Sequence, residues 1–189
     1  MRAVDLFCGM GGWTRGLQDE GFHVCGFDLE RLPYSGALAI QDVRTIDGAR
    51  FRGKIDLVVA SPPCQQFTAL RLPFRRHRLS YSTPDIELVH AAYRISREAG
   101  APLVLENTMG AVRYLGEPVL RAGAYCLWGD GVPPLVPQIG ATKTHPWPKG
   151  LRIMGNGKNK CWRASVRGII PYELARAVGS YHRRRLEAA

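Results

Sequence analysis

Asp5-Leu-Phe-Cys-Gly9-Met-Gly11-Gly12-Trp-Thr-Arg-Gly16-Leu17 is the stretch on which the fold turns. It follows the short apolar run Ala3–Phe7 and leads into a helix-like segment, Thr14 to Glu20, closed by Gly21. A glycine-rich turn between a strand and a helix lets a ligand approach bare backbone, with the helix N-terminus behind it. The next segment, His23 to Phe27, reads as a second strand and ends on Asp28. An acid at that place can hold a ribose hydroxyl, so the pair of features points to a nucleoside-containing cofactor.

The same alternation continues outward. Ile55–Ala60 is β-branched and continuous, as a strand buried on both faces should be. A helix is expected from Pro84 to Glu98, with Ile86, Val89, Ala92 and Tyr93 at helical spacing, and Leu103–Leu105 is a further buried strand. Strands alternating with helices predict an α/β fold with a mostly parallel, twisted sheet and helices on both faces. Gly129 to Lys160 is rich in Pro, Gly and Lys and lacks periodicity. A last helix is expected over Ile169–Val178, with the tail His182–Arg185 solvated.

Composition bounds the answer. At 189 residues and 46% apolar content the chain can bury a core without metals or disulfides. It reads as one domain, residues 1–189. Twenty-six Lys and Arg against 16 Asp and Glu give a formal charge of +10, which points to a polyanionic partner. No run approaches the roughly 18 apolar residues of a membrane span. The N-terminus has no signal-peptide pattern. The five cysteines form no CxxC or CxxH pair, so neither a disulfide framework nor a metal site is suggested, and reduced thiols in the cytoplasm are expected.

Two further segments carry chemistry. Ala60-Ser-Pro62-Pro63-Cys64-Gln65-Gln-Phe67-Thr68 follows the third strand, at the carboxyl edge where open α/β sheets bind ligands. The prolines stiffen the turn and make Cys64 a candidate nucleophile; the alternative is an inert buried thiol. Glu106-Asn107 ends the next strand on the same edge. A carboxyl beside a thiol can donate a proton. The alternative for Glu106 is a helix N-terminal charge.

In this order the three segments resemble the DNA cytosine-5 methyltransferase family. Asp5–Gly12 is similar to its glycine-rich first motif, Ser61–Thr68 to its proline–cysteine motif, and Glu106-Asn107 to its Glu-Asn motif, with Thr108 where Val is usual. Ile170–Val178 looks like its last motif, whose helix packs near the first. The resemblance implies a Rossmann-like, class I S-adenosylmethionine-dependent methyltransferase fold. It implies methyl transfer from S-adenosylmethionine to C5 of a cytosine flipped out of duplex DNA.

By the same resemblance Cys64 adds to C6 of the base, Glu106 protonates N3, and Pro63 and Asn107 shape and support the cysteine loop. Phe7, Gly9, Gly11, Asp28, Leu29 and Asp42 would hold the cofactor. Gln65, Arg71, Arg75, Arg76 and Arg78 would meet DNA, the arginines falling in a loop that closes over the duplex. Lys143–Lys160, with Trp147 or Trp162 for stacking, is a candidate second DNA surface.

Two departures bear on function. The family's Gln-x-Arg-x-Arg motif is not recognisable: Leu120–Gly129 has alanine at the arginine positions, leaving Arg121, Arg163 and Arg167 as possible replacements. Residues 130–164 form a short basic insert where relatives carry a target-recognition domain, so a partner protein could supply specificity. Compactness suggests a phage or mobile-element protein linked to restriction–modification. The competing readings are an exocyclic-amine methyltransferase acting on cytosine N4 or adenine N6, and a non-catalytic subunit that binds cofactor and DNA.

Overall fold

The computed structural model describes residues 1–64, 67, 84–139 and 169–188. The chain opens with β1 (Arg2–Leu6), whose last four residues are buried. Then come helix α1 (Gly12–Asp19), β2 (His23–Asp28) and β3 (Ala37–Ile40). After two short 3-10 turns, β4 (Leu57–Ala60) leads to helix α2 (Glu87–Ala99) and β5 (Leu103–Asn107). The short helix α3 (Val112–Leu115), the hairpin strands β6 (Leu120–Ala122) and β7 (Tyr125–Trp128), and helix α4 (Tyr172–Glu187) complete the described elements.

The strands form one sheet in the order β3-β2-β1-β4-β5-β7-β6. The first five pair in parallel, and β7 joins β5 antiparallel. Every residue of β4 and β5 is buried, because apolar layers cover both faces. On one face Val89, Ala92 and Ile95 of α2 pack with Val58, Leu103 and Leu105. On the other, Trp13 and Leu17 of α1 pack with Leu174 and Val178 of α4 and with Val59 and Val104.

The chain runs from β1 outward to β2 and β3, then crosses back to β4 on the other side of β1. That reversal makes the β1/β4 boundary the switch point, where open sheets leave a crevice beyond the carboxyl ends of their strands. Leu6 pairs with Ala60 there. The glycine-rich turn and the Ser61–Cys64 turn therefore leave the sheet side by side.

Helix α4 packs directly on α1. A Cβ on Gly16 would lie 2.5 Å from the backbone nitrogen of Arg176, so only glycine lets the two helices approach this closely. Charge fixes the pairing. Glu20, 7% exposed, accepts from Arg176 Nε at 2.9 Å and lies 3.1 Å from Arg183 Nη2. The Tyr172 hydroxyl donates to Asp19 at 2.5 Å.

Three strands were not expected from sequence: β3, β6 and β7. The last helix also runs to Glu187 rather than stopping near Val178. The stretch 182–185 is thus helical rather than a solvated tail. His182 is buried four residues after Val178, and its Nε2 lies 2.7 Å from the Gly131 carbonyl oxygen. Arg184 and Arg185 do face solvent. Helix α2 starts at Glu87, three residues after Pro84, with the Asp85 carboxylate accepting the Glu87 amide at 3.1 Å. Residues 129–139 hold no helix or strand, and the rest of the Gly129–Lys160 stretch lies outside the described residues. No helix among the described residues is long and apolar enough to cross a membrane.

Candidate active site

The glycine-rich turn is built from left-handed backbone. Gly9 (φ 52°) and Gly11 (φ 76°) adopt it without penalty, but Phe7 (φ 59°) does so as well. A residue with a side chain in that region costs about 1–3 kcal/mol, so surrounding bonds must hold it. Cys8 N–H donates to the Phe27 carbonyl at 3.2 Å, and Gly11 N–H donates to the Cys8 carbonyl at 2.8 Å. Asp28 supplies the cross-link: its carboxylate accepts the Gly9 amide at 2.9 Å and the Glu30 amide at 3.1 Å. The end of β2 thereby fixes the turn that follows β1.

The second turn is fixed from two sides. Trp13 of α1 donates its indole N–H to Ser61 Oγ at 2.9 Å. Asn107, fully buried at the end of β5, donates Nδ2 to the Pro62 carbonyl at 3.1 Å and accepts the Thr108 amide at 2.9 Å. Its amide therefore spans β5 and the proline turn, one residue before Pro63 and two before Cys64. Glu106, 2% exposed, lies within β5 and not at a helix N-terminus.

Between the turns lies a cavity of about 390 Å³, within the usual range for a small-molecule site. Phe7, Gly9, Asp28, Leu29, Asp42, Pro63, Cys64 and Glu106 all line it. Gly11 and Asn107 do not: Gly11 caps α1, and Asn107 works from behind through Pro62. Gln65, Arg71, Arg75, Arg76, Arg78 and the Lys143–Lys160 stretch with Trp147 and Trp162 lie outside the described residues. So do Arg163 and Arg167. Arg121 is exposed on edge strand β6 and does not line the cavity.

Several wall residues were not singled out from sequence. Ser61, Glu30 and the pair Ile169–Ile170 are the clearest. Ser61 stood inside a quoted motif, and Ile170 opened the C-terminal one. The contact that recruits each is long-range and has no local signature.

The charge of the cavity is unlike that of the chain. Its described lining contains four carboxylates (Asp28, Glu30, Asp42 and Glu106) and neither Lys nor Arg. In a chain of net charge +10 this is a strongly biased environment. It suits a cationic ligand and lacks the cations that a nucleotide phosphate would need. Asp42 is held by Arg44, which donates through its backbone amide and its guanidinium, with Nη2 at 2.6 Å. Those bonds keep the Asp42 carboxyl below the usual carboxylate range. Burial pushes the thiols of Cys8 and Cys25 up, Cys8 further through the nearby Asp5 and Asp28. Behind the turn, Asp5 is fully buried and burial raises its carboxyl to about 7. Thr14 donates to it at 2.7 Å.

Comparison with known proteins adds the decisive observation. The family model for C-5 cytosine-specific DNA methylase matches residues 1–108, more than half of the 189 residues. The chain belongs to this family. The match contains both turns, Asp28, Asp42, Cys64, Glu106 and Asn107. A Methanocaldococcus jannaschii protein bearing a type II methyltransferase name is 30% identical, over 36% of this chain and 26% of that one. The type II methyltransferase M.AgeI of Thalassovita gelatinovora is 30% identical, over 36% of this chain and 20% of its own length. The chain thus spans about a quarter or less of the length of these curated relatives. The crystal structure of the S. pombe Dnmt2 methyltransferase superposes on 61% of this chain and 38% of that one, at 18% identity and a TM-score of 0.42. Members of the family take their methyl group from S-adenosylmethionine.

Proposed function

We propose that this chain methylates C5 of cytosine in DNA, using S-adenosylmethionine. The supporting observation is that Cys64, Glu106 and the glycine-rich turn line one cavity at the switch point of the sheet. The acidic lining fits the donor, which carries a sulfonium and an ammonium group. Asp28 and the backbone of Phe7 and Gly9 would hold its ribose and methionine parts, with Asp42 and Leu29 toward the adenine.

Cys64, as thiolate, adds to C6 of the flipped base, and the electron pair of the C5–C6 bond moves toward N3. Glu106 donates a proton to N3, so no full negative charge builds on the ring. C5, now nucleophilic, would attack the methyl carbon that bound S-adenosylmethionine supplies, the methyl–sulfur bond breaking with its electron pair to sulfur so that S-adenosylhomocysteine leaves. Loss of the C5 proton to a base then expels the Cys64 sulfur and restores the aromatic ring. Asn107 donates to the Pro62 carbonyl and would in that way keep Cys64 in place for the base.

The chain's net charge of +10 supports a nucleic-acid substrate. Gln65, Arg71, Arg75, Arg76 and Arg78 would contact it. Residues 130–164 would take the place of a target-recognition domain, or a protein partner would supply that selectivity.

The test is direct. The purified chain is incubated with S-adenosylmethionine and mixed-sequence duplex DNA, and the DNA is digested to nucleosides for mass spectrometry. 5-Methylcytosine in wild type and none in Cys64→Ala, with cofactor binding retained, is the expected result. N4-methylcytosine or N6-methyladenine would overturn the cysteine mechanism. Cofactor and DNA binding without product would favour a non-catalytic subunit.

A further inference from the structure

The segment between β2 and β3 belongs to no motif, yet Tyr34 within it occupies a slot that three glycines leave open. A Cβ on Gly26 would meet Tyr34 Cζ and Oη at 2.5 Å, one on Gly36 would meet Cε1 at 2.9 Å, and one on Gly11 would meet Cδ2 at 3.2 Å. Gly11 is the left-handed cap of α1 and part of the turn that lines the cavity's edge. The ring therefore lies against the turn.

The Tyr34 hydroxyl lies 2.5 Å from Thr14 Oγ1. Thr14 has one hydroxyl proton and gives it to Asp5 Oδ2 at 2.7 Å. When Asp5 is a carboxylate it can only accept, and Tyr34 is then the donor to Thr14. This makes a directed chain, Tyr34 to Thr14 to Asp5, running under the turn into the sheet. Asp5 Oδ1 has no hydrogen-bond partner among the described residues.

We propose that Tyr34 is a positioning residue for the cofactor: its ring braces Gly11, and its hydroxyl, through Thr14, holds the first turn of α1 in the cofactor-binding shape. The proposal rests on the cavity being the S-adenosylmethionine site. The charged and titratable groups that bear on the chain are Asp5 from β1, Asp28 and Cys25 from β2, and Cys8 from the turn itself.

Two measurements on the full chain test it. The first needs no ligand: amide hydrogen exchange at Gly11, whose N–H is bonded to the Cys8 carbonyl at 2.8 Å. Tyr34→Phe keeps the ring and removes the donor, and the lost hydrogen bond predicts exchange about three- to tenfold faster. The second is calorimetric titration with S-adenosylmethionine across pH 6 to 8. Losing the hydrogen bond that holds the competent shape weakens binding about threefold or more in Tyr34→Phe, and losing the ring as well weakens it by more than about tenfold in Tyr34→Leu. Tyr34→Phe should also move the pH profile of binding upward, because the carboxylate form of Asp5 loses support. A residue that served only global stability would lower the melting temperature and leave the affinity and pH profile of the folded protein unchanged.

Wild type that fails to bind S-adenosylmethionine would refute the reading of the cavity, and Gly11 exchange would still judge the brace. Wild type that binds, with Tyr34→Phe within twofold of it in exchange, affinity and pH profile, would overturn the inference alone. Should Tyr34→Leu not fold, Tyr34→Phe decides.

Discussion

Replacing Asp5 with Asn should stabilise the protein in a way that depends on pH. Asp5 is fully buried in β1. Burial lifts its carboxyl from 3.8 to about 7, the Thr14 hydrogen bond opposes that rise, and the charge of Asp28 adds to it. In the unfolded chain the group has lost its proton above about pH 4, whereas the folded chain keeps it until about pH 7. Between those values the folded state binds the extra proton, so this group's contribution to stability falls as pH rises, and the full cost is present above pH 7. Three pH units at about 1.4 kcal/mol each give a cost on the order of 4 kcal/mol. Asn carries no charge and still offers an oxygen to Thr14. Its amide brings buried donors, which returns about 1–3 kcal/mol of that gain. Asp5→Asn should therefore be about 1–3 kcal/mol more stable than wild type at pH 8 and no more stable at pH 5. Urea denaturation at the two pH values measures both numbers. An equal difference at both would show that Asp5 is not a buried titrating carboxyl and would refute the reasoning.

Asn107→Ala frees the Pro62 carbonyl and should lower the methylation rate constant about a hundredfold, the effect of displacing a reacting group by about 1 Å; cofactor affinity should stay near wild type, and a parallel fall in both would refute the positioning role. Gly16→Ala places a Cβ 2.5 Å from the Arg176 nitrogen and 2.6 Å from Ala175 Cβ. It should cost about 1–3 kcal/mol in denaturant unfolding, as overpacking does, and an unchanged midpoint would mean that α4 shifts freely on α1. Burial holds the His182 imidazole below its usual range. The folded state disfavours the charged imidazole, so this group's support is present above about pH 6.5 and is lost as pH falls below it. His182→Gln, which keeps a donor for the Gly131 carbonyl, should flatten that loss between pH 7 and 5. A pH dependence identical to wild type would argue against a buried neutral imidazole.

The residues that form the site stand out in sequence because strand–turn–helix units carry them. A glycine turn after β1, an acid ending β2 and a proline–cysteine turn after β4 are local features. The parallel sheet then brings their ends together without further information. What stayed hidden depends on contacts between distant segments. Strands β3, β6 and β7 hold only three or four residues each, too few for a period to show. Tyr34 looked like any loop aromatic, because its slot is made by Gly11, Gly26 and Gly36. The continuation of α4 was obscured by Arg183–Arg185, which resemble a solvated tail. Arg183 instead reaches Glu20, 163 residues earlier in the chain. Asp42 was readable as a cavity acid, but its engagement by Arg44 was not.

The seating of α4 on α1 has a consequence for the order of events during synthesis. Ile170 fills the space above Gly12, and the next helix locks to Asp19 and Glu20. The glycine-rich turn emerges from the ribosome more than 150 residues before Ile169 and Ile170, which complete its cavity. Until residues 169–187 have emerged, the cavity lacks that wall and α1 lacks the helix that covers it. Any fragment broken off before residue 169 shares that defect.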